Sequence, residues 1–274
     1  MTRLPAGACD CHMHIYGDPA LYPPAAGNPF QPVAGGTTEN YLKLRALLGL
    51  DRAVVVQPSV YGADNRCTLA AMVSMGSSAR GVAVVDESVS DAEIARLDSL
   101  GVRGLRAFML ADGPINWDNL PRMAARVHDI AGWHVQLQMD GRLLREREGM
   151  LARLPGTLVI DHNGKFLEPV GPDQPGYAAL RRLMESGKAW VKTSGVYETS
   201  RVGAPRYPDV AWIARELVAA YPERCVWATN WPHPSKPGSP PDDAQLVDLM
   251  VEWCDGEAGL RRLLVENPAR LYGF

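Results

Sequence analysis

Short apolar runs alternate with segments of helical periodicity along most of the chain. Between the apolar runs, hydrophobic residues recur every three or four positions, which indicates amphipathic helices packed on one side. Runs such as 53–56 are unbroken and β-branched, as expected of parallel strands covered on both faces. Eight strands with intervening helices predict a (β/α)8 TIM barrel, a fold that takes roughly 250 residues. The runs that predict strands cover residues 8–15, 53–59, 81–86, 102–109, 134–140, 158–162, 189–195 and 225–231.

An open, doubly wound sheet is the alternative to the barrel. Such folds carry Gly-x-Gly-x-x-Gly after a strand, and no predicted strand of this chain is followed by that sequence. The sequence therefore predicts a single barrel domain over residues 1–274, with the segment 257–272 closing the barrel on its outside.

A long proline-rich loop follows the first predicted strand. Residues 17–36 contain five prolines, too many for a helix or an interior strand. Long irregular loops in compact domains are commonly functional lids. Because this loop leaves directly from a strand that carries two histidines, we expect it to act as a lid over a site.

Charge and composition narrow the choice of partners. The net charge of −3 and the absence of Lys/Arg runs provide no basic surface for nucleic acid. The apolar runs fall short of the roughly 20 residues that span a bilayer, and the N-terminus lacks the apolar core of a signal peptide. The five cysteines are scattered and odd in number, which fits a reducing compartment. We expect a cytoplasmic protein that binds neither nucleic acid nor membrane.

The first predicted strand has an unusual polar face. Side chains alternate along a strand, so Asp10, His12 and His14 are predicted to share one face, opposite Cys9 and Cys11. Two of the six histidines of the chain stand here, one residue apart. Two metal ligands, or a general base and its partner, would be mounted on a rigid element in this way.

Polar residues stand at the carboxyl ends of nearly all predicted strands. In a (β/α)8 barrel these ends converge on the face that holds the active site. We therefore expect these side chains to surround one cavity. They are His12, His14, Ser59, Asp86, Arg106, Gln138, Asp140, His162, Ser194 and Asn230.

His162, after the sixth strand, is a candidate third imidazole. With His12 and His14 it could hold a single divalent metal such as zinc, although the chemistry considered below requires no metal. A hydrolytic barrel would be expected to place an Asp after the eighth strand, where this chain has Asn230. An amide is neutral and cannot take a proton from water.

The other polar residues suit an anionic ligand. Arg106, Lys165, Lys192 and Arg201 are candidates for holding a substrate carboxylate, Arg by a bidentate fork and Lys as a point charge. Arg106 is the strongest of them, because an arginine inside an apolar strand is costly unless it is paired.

Six motifs spread over nearly the whole chain carry a resemblance to a known family. They are Asp10–His14, Val56–Ser59, Arg103–Arg106, Ile160–Gly164, Trp227–Pro234 and Glu266–Tyr272. Together they resemble the amidohydrolase superfamily (amidohydrolase family 2), in the branch of D-galactarolactone isomerase and 2-pyrone-4,6-dicarboxylate hydrolase. The resemblance implies a distorted (β/α)8 barrel and attack at a lactone carbonyl, in a branch whose members can work without a metal.

The two named activities are matched to different degrees. The hydrolase pattern has an Asp in the eighth-strand motif and further arginines, where this chain has Asn230, Lys165 and Glu198. The isomerase pattern departs at His12, where Gln is expected, and this departure leaves metal binding and hydrolysis open. Similarity to the isomerase covers residues 162–166, 195–201, 229–233 and 241–244, including the Asn.

The sequence thus predicts an enzyme that acts on the carbonyl of a small, carboxylated lactone of the sugar-diacid type. Isomerisation by acyl migration is favoured because its nucleophile already belongs to the substrate. Ring-opening hydrolysis is one alternative, and a non-catalytic acid-binding barrel is an alternative of another class. The predicted catalytic residues are His12, His14, His162 and Asn230. The predicted substrate-binding residues are Ser59, Arg106, Gln138, Asp140, Lys165, Tyr197, Arg201 and His233.

Overall fold

Eight parallel strands form the centre of the computed structural model, which describes residues 2–274. Each strand pairs with the next one along the chain, in the order β1 to β8. Helices separate the strands, so the predicted (β/α)8 barrel is confirmed. The strands are β1 (Cys9–Met13), β2 (Arg52–Val56), β3 (Ala79–Ala83), β4 (Val102–Phe108), β5 (His134–Gln138), β6 (Leu158–Ile160), β7 (Ala189–Thr193) and β8 (Cys225–Trp227).

The α-helices surround this sheet. One of them, α8, does not appear among the predicted segments, although its apolar side chains are buried against the barrel. No helix within residues 2–274 is both long and apolar enough to cross a bilayer. The helices are α1 (Thr38–Leu48), α2 (Arg66–Met75), α3 (Asp91–Ser99), α4 (Leu120–Ala131), α5 (Leu144–Leu151), α6 (Pro175–Glu185), α7 (Pro208–Ala220), α8 (Asp243–Val251), α9 (Gly256–Arg261) and α10 (Asn267–Tyr272).

Local sequence fixes the ends of the helices. The Ser90 hydroxyl accepts a hydrogen bond from the backbone N–H of Glu93 at 3.1 Å and thereby starts α3. Thr37 caps α1 in the same way, and Gly49 ends that helix in the left-handed region at φ 72°. Only glycine adopts that conformation without a steric penalty, which is why the helical pattern stops there.

The barrel closes between β1 and β8. Asn230 donates its backbone N–H to the carbonyl of His12 at 2.9 Å, and His14 donates its backbone N–H to the carbonyl of Trp231 at 2.8 Å. The Asp10 carboxylate accepts two hydrogen bonds from Thr229, from the backbone N–H at 3.0 Å and from the hydroxyl at 2.6 Å. The first and last strands are therefore joined next to the predicted site.

A small cluster of buried side chains fills the barrel interior. It includes Cys9 and Cys11 of β1, both free thiols, and Tyr272 of α10. The C-terminal segment was expected to close the barrel on its outside, but Tyr272 instead enters the interior and reaches His134 edge to face at 5.5 Å. A second, larger cluster lies between the barrel and its helices.

A β-bulge interrupts β1. The register with β2 shifts between Asp10 and Met13, so alternation does not hold across this stretch. Asp10 accepts a hydrogen bond from the Tyr41 hydroxyl of α1 at 3.1 Å, outside the barrel, whereas His12 and His14 point inward. The prediction that Asp10 shares a face with the two histidines is therefore wrong, because the extra residue turns Cys11 and His12 both towards the interior.

Candidate active site

A cavity of about 490 Å³ opens at the carboxyl ends of the strands. Its wall combines polar side chains from the strand ends with apolar side chains from the loops above them. Seven of the predicted site residues line it: His14, Ser59, Arg106, Gln138, His162, Lys165 and Asn230. The expected convergence of polar strand ends on one cavity is observed for these residues.

The proline-rich loop 17–36 forms one side of this cavity through its segment 29–33. Asn28 anchors the loop by donating its amide N–H to the Ser59 carbonyl at 2.7 Å. Phe30 meets Phe108 of β4 edge to face, with ring centroids 5.7 Å apart. The loop thus lies where a lid would lie, and its opening and closing remain a prediction.

Arg106 of β4 is buried in the cavity wall. Its guanidinium donates to the Gln57 carbonyl at 2.5 Å, to the Ser59 hydroxyl at 3.3 Å and to the Gln138 amide oxygen at 3.3 Å. Its Nε has no hydrogen-bond partner among residues 2–274. Burial lowers the pKa of Arg106, and Asp161 is the main group that opposes this effect. A guanidinium carries five N–H donors, so Arg106 is held in place with donors left for a ligand.

His12 and His14 are neutral and oriented by their neighbours. Burial lowers the pKa of His14 to about 3 and that of His12 well below its ordinary value. His14 Nδ1 lies 2.8 Å from the Val56 carbonyl, which can only accept, so Nδ1 carries the proton and Nε2 is a lone pair. His12 Nε2 lies 3.2 Å from His14 Nε2, so His12 is the donor in this pair. His12 Nδ1 faces the barrel interior, where Asp161 Oδ1 lies 3.3 Å and Lys192 Nζ 3.4 Å from it.

Lys192 of β7 lies behind the histidines, not in the cavity. Its side chain is fully buried, donates to the Gln136 amide oxygen at 2.5 Å and lies 3.4 Å from His12 Nδ1. Burial lowers its pKa to about 8 against the opposing effect of Asp161, 3.8 Å away. The proposed role of Lys192 in holding a substrate carboxylate is therefore not supported by its position. Instead, Lys192 offsets the charge of Asp161. The pKa of Asp161 lies below its ordinary value because the lowering by His12 and Lys192 outweighs the increase caused by burial.

Three groups that could serve as metal ligands lie together. His12, Asp161 and His162 each bring a ligand atom within 4.8 Å of the others, so the predicted ligand set is found in part, with Asp161 in place of His14. The charges do not suit a divalent ion, because the Lys192 ammonium already lies beside His12 Nδ1 and Asp161 Oδ1. An added cation on these atoms would be repelled by that ammonium in a buried environment.

His162 follows β6 in a tight turn. His162, Asn163 and Lys165 all have positive φ, at 51°, 58° and 49°, which is uncommon for residues other than glycine. Such strained backbone conformations cluster at functional sites. Here the turn directs the His162 and Lys165 side chains to the cavity. His162 Nδ1 lies 2.9 Å from the Ser194 hydroxyl. Burial lowers the pKa of His162 to about 4 although Glu198 and Asp161 raise it, so the ring is neutral near pH 7.

Lys165 forms an ion pair with Glu198 in the cavity wall. Burial raises the pKa of Glu198, but Lys165 and His162 outweigh it and lower that pKa to about 2. Glu198 is the one carboxylate among the described residues that line the cavity, and it is absent from the predicted binding set. Tyr16 and Ser235 also line the cavity and were not predicted, since both lie in loops where no periodic pattern indicates direction.

Asn230 is backed by a chain of hydrogen bonds. It donates its side-chain N–H to the Tyr197 hydroxyl at 2.9 Å, and that hydroxyl lies 2.9 Å from His233 Nδ1. On the far side of the ring, His233 Nε2 lies 3.2 Å from the Asp243 carboxylate. Tyr197 and His233 are therefore placed behind Asn230 and do not line the cavity.

Two further predicted residues are not brought to the cavity. The Asp140 carboxylate binds the Arg142 guanidinium at 2.6 Å, and Asp140 is not part of the cavity lining. The Arg201 side chain is 73% exposed and pairs with Glu168 at 3.2 Å. Both are satisfied by neighbours close by, so the proposed contacts of Asp140 and Arg201 with substrate are not supported by their positions.

Fold and site together define a (β/α)8-barrel enzyme with its active site at the carboxyl ends of the strands. The chain belongs to the amidohydrolase family, whose model, described as Amidohydrolase, matches residues 9–274. The alternative of a non-catalytic acid-binding barrel is accordingly set aside.

Two characterised proteins are similar over almost the full length. D-galactarolactone isomerase of Agrobacterium fabrum is 39% identical over 273 residues, covering 98% of this chain and 92% of that protein. The 2-pyrone-4,6-dicarboxylate hydrolase of Comamonas testosteroni is 37% identical over 281 residues, covering 98% and 91%. Among solved structures, an apo crystal structure from Agrobacterium tumefaciens matches with a TM-score of 0.90 and 38% identity, covering 99% of this chain and 97% of that one.

Proposed function

We propose that this enzyme acts on the carbonyl of a small, carboxylated lactone of the sugar-diacid type and isomerises it by acyl migration. The observation that carries the proposal is the composition of the cavity. One buried guanidinium, two neutral imidazoles and three neutral amides line the same space, and the one carboxylate among the described lining residues, Glu198, is tied to Lys165. Both similar proteins are named for cyclic esters or for acids of such rings, which agrees with this substrate class.

Arg106 is proposed to bind the substrate carboxylate. Its remaining N–H donors lie at the cavity wall, and the low exposure of the residue strengthens a charged hydrogen bond made there. Three neighbouring acceptors fix the guanidinium before the substrate arrives, so little side-chain entropy is lost on binding.

His162 is proposed to move the proton. In isomerisation a substrate hydroxyl attacks the lactone carbonyl carbon, a new C–O bond forms, and the old ring C–O bond breaks. The proton leaves the attacking oxygen and is returned to the departing one, so no water is consumed and the base is regenerated. A neutral imidazole suits both transfers. The Ser194 hydroxyl beside Nδ1 can donate or accept, and it therefore tolerates either tautomer of the ring.

We propose that no metal takes part in this reaction. The proposal is supported by the charge balance behind the cavity, where Lys192 offsets Asp161 and lies beside His12. It predicts that treatment with a chelator and exchange into metal-free buffer leave the rate unchanged. A proportional loss of activity and of bound zinc, restored by added zinc, would contradict it.

Product analysis in ¹⁸O-labelled water tests the proposed reaction. The purified enzyme is incubated with five- and six-membered lactones of sugar diacids, and the products are followed by ¹³C NMR and mass spectrometry. Isomerisation yields the other lactone without incorporation of ¹⁸O, whereas hydrolysis yields the open diacid with one labelled carboxyl oxygen. Enzyme carrying His162→Gln and buffer alone correct for spontaneous interconversion.

If a labelled diacid forms only in the presence of the enzyme, the reaction is hydrolysis and not isomerisation. The ligand atoms shared by His12, Asp161 and His162 are the observation that keeps hydrolysis as the second candidate. If neither the isomeric lactone nor the open diacid forms from any lactone of this class, the substrate assignment itself is overturned.

A further inference from the structure

The direction of each hydrogen bond behind Asn230 can be worked out from its far end. The Asp243 carboxylate, with 11% of its side chain exposed, only accepts, so His233 Nε2 carries a proton towards it. In the neutral ring His233 Nδ1 is then a lone pair, and it accepts from the Tyr197 hydroxyl at 2.9 Å. Having given its proton to His233, the Tyr197 oxygen can only accept from its other neighbour. That neighbour is Asn230, which must present its N–H group at 2.9 Å.

We infer that Asp243, acting through His233 and Tyr197, fixes the Asn230 amide with its carbonyl oxygen towards the cavity, where it accepts a hydrogen bond from a substrate hydroxyl. This inference rests on the proposed function for the identity of the substrate, but its structural part does not. Asn230 lines the cavity, and its side chain makes its one hydrogen bond within residues 2–274 through the N–H group, to Tyr197. A reversed amide would set two acceptors or two donors against each other at Tyr197.

Asn230 thereby serves as a hydrogen-bond acceptor. The N–H group of its amide is engaged with Tyr197 and not with an oxyanion. The carbonyl oxygen that faces the cavity instead selects for a donor, which a hydroxylated lactone offers and an unsaturated ring without hydroxyls does not. Asp243, His233 and Tyr197 are thus positioning residues, and Asn230 is the group that touches the substrate.

The first test measures the tautomer of His233 and needs no substrate. With ¹⁵N-labelled histidine, the ring of His233 is expected to carry its proton on Nε2, as assigned by comparison with His233→Gln. Asp243→Ala should lower the fraction of this tautomer. Asp242→Ala is the matched control, because Asp242 caps the same helix but does not contact His233. A proton on Nδ1 in the unaltered enzyme, or equal effects of the two alanine variants, would overturn the inference.

The second test compares two substrates. Tyr197→Phe frees the Asn230 amide to rotate, so kcat/KM for a hydroxylated sugar-diacid lactone should fall about five- to 150-fold, the range for one missing hydrogen bond with its partner left unpaired. For the corresponding deoxy lactone, kcat/KM should decrease less than about twofold in the variant, because this substrate makes no such bond. An equal decrease for both lactones would show that Tyr197 is merely structural. If neither lactone is converted by the unaltered enzyme, the proposed function fails, while the tautomer measurement still decides the orientation of Asn230.

Discussion

Lys165 and Glu198 form an ion pair in the cavity wall with only 9% and 5% of their side chains exposed. Removing one partner leaves the other charge buried without compensation, which costs roughly 3–5 kcal/mol in comparable cases. Lys165→Met should therefore lower the free energy of unfolding by about that amount, as measured by urea denaturation. The double variant Lys165→Met/Glu198→Met should recover most of this stability, since it buries no charge. A double variant as unstable as the single one would show that the side chains act separately.

Arg106→Lys tests the carboxylate contact. Lysine keeps the charge but lacks the fork of N–H donors. The decrease in kcat/KM should therefore correspond to the loss of about 1.5–3 kcal/mol of charged hydrogen bonding. Most of the effect should appear in KM, because the carboxylate is bound in the ground state as well as in the transition state. Steady-state kinetics with a lactone and its methyl ester separate the contributions. The ester should show no difference between the two enzymes, and unchanged kinetics with the free acid would remove Arg106 from the site.

Asn230→Asp tests the need for a neutral group after β8. The carboxylate would draw the Tyr197 proton away from His233 and place a negative charge in the cavity that has to bind the substrate carboxylate. Juxtaposed like charges at a binding site cost several kcal/mol, so kcat/KM for isomerisation is expected to fall at least about tenfold. Asn230→Gln, which stays neutral, is the matched control for altered geometry. Should Asn230→Asp retain both rate and product, the residue would lie outside the reaction.

Acid should destabilise the enzyme before most of its carboxylates titrate. Burial lowers the pKa of His14 and His134 to about 3 and that of His162 to about 4, whereas in the unfolded chain a histidine titrates near 6.5. The unfolded state therefore takes up protons first as the pH falls, and stability present above about pH 6.5 is lost progressively towards about pH 4. Asp10, whose pKa burial raises to about 6, opposes this trend by one proton.

The slope identifies the groups responsible. Urea denaturation between about pH 7 and 4 should show the free energy of unfolding decreasing by up to about 1.4 kcal/mol per pH unit for each buried neutral histidine. His134→Leu, distant from the cavity, should reduce the slope by one such increment without changing turnover. An unchanged slope in that variant would mean that His134 is protonated in the folded enzyme.

Phe30→Ala tests the lid. Its edge-to-face contact with Phe108 is worth about 0.5–1.5 kcal/mol, so KM should rise roughly two- to twelvefold when this contact is removed from the loop. The thermal midpoint should hardly change, because Phe30 is 38% exposed. Leu21→Ala, in the same loop but 63% exposed, serves as the control. A large decrease in thermal stability with unchanged KM would assign the loop a structural role.

The strands could be predicted because burial on both faces demands continuous apolar runs. Buried helices facing them leave the three-to-four-residue period that predicted α1 and α7. Helix α8 was missed because it follows a long stretch rich in proline and glycine, although the Asp242 side chain that caps it is a recognisable signal. Element ends moved by a few residues wherever a short 3-10 turn continues the strand, as after Val56.

The site residues could be predicted only where the position of a residue on its strand fixes the direction of its side chain. Arg106 and His162 stand at strand ends and must point inward. The bulge in β1 arises from pairing with β2, which no local pattern reveals, and so Asp10 was assigned to the wrong face. Asp140 and Arg201 have the right chemistry but find nearer partners, and such competition is decided by tertiary contacts.

The backbone hydrogen bonds that close the barrel between β1 and β8 involve His12, His14 and Asn230 themselves. A fluctuation that separates the two strands also separates these side chains. The assembled site and the closed barrel are therefore the same thermodynamic state. The amide hydrogens of His14 and Asn230 consequently act as built-in reporters. Each molecule in which they have exchanged with deuterium has passed through an opened form that could not turn over substrate.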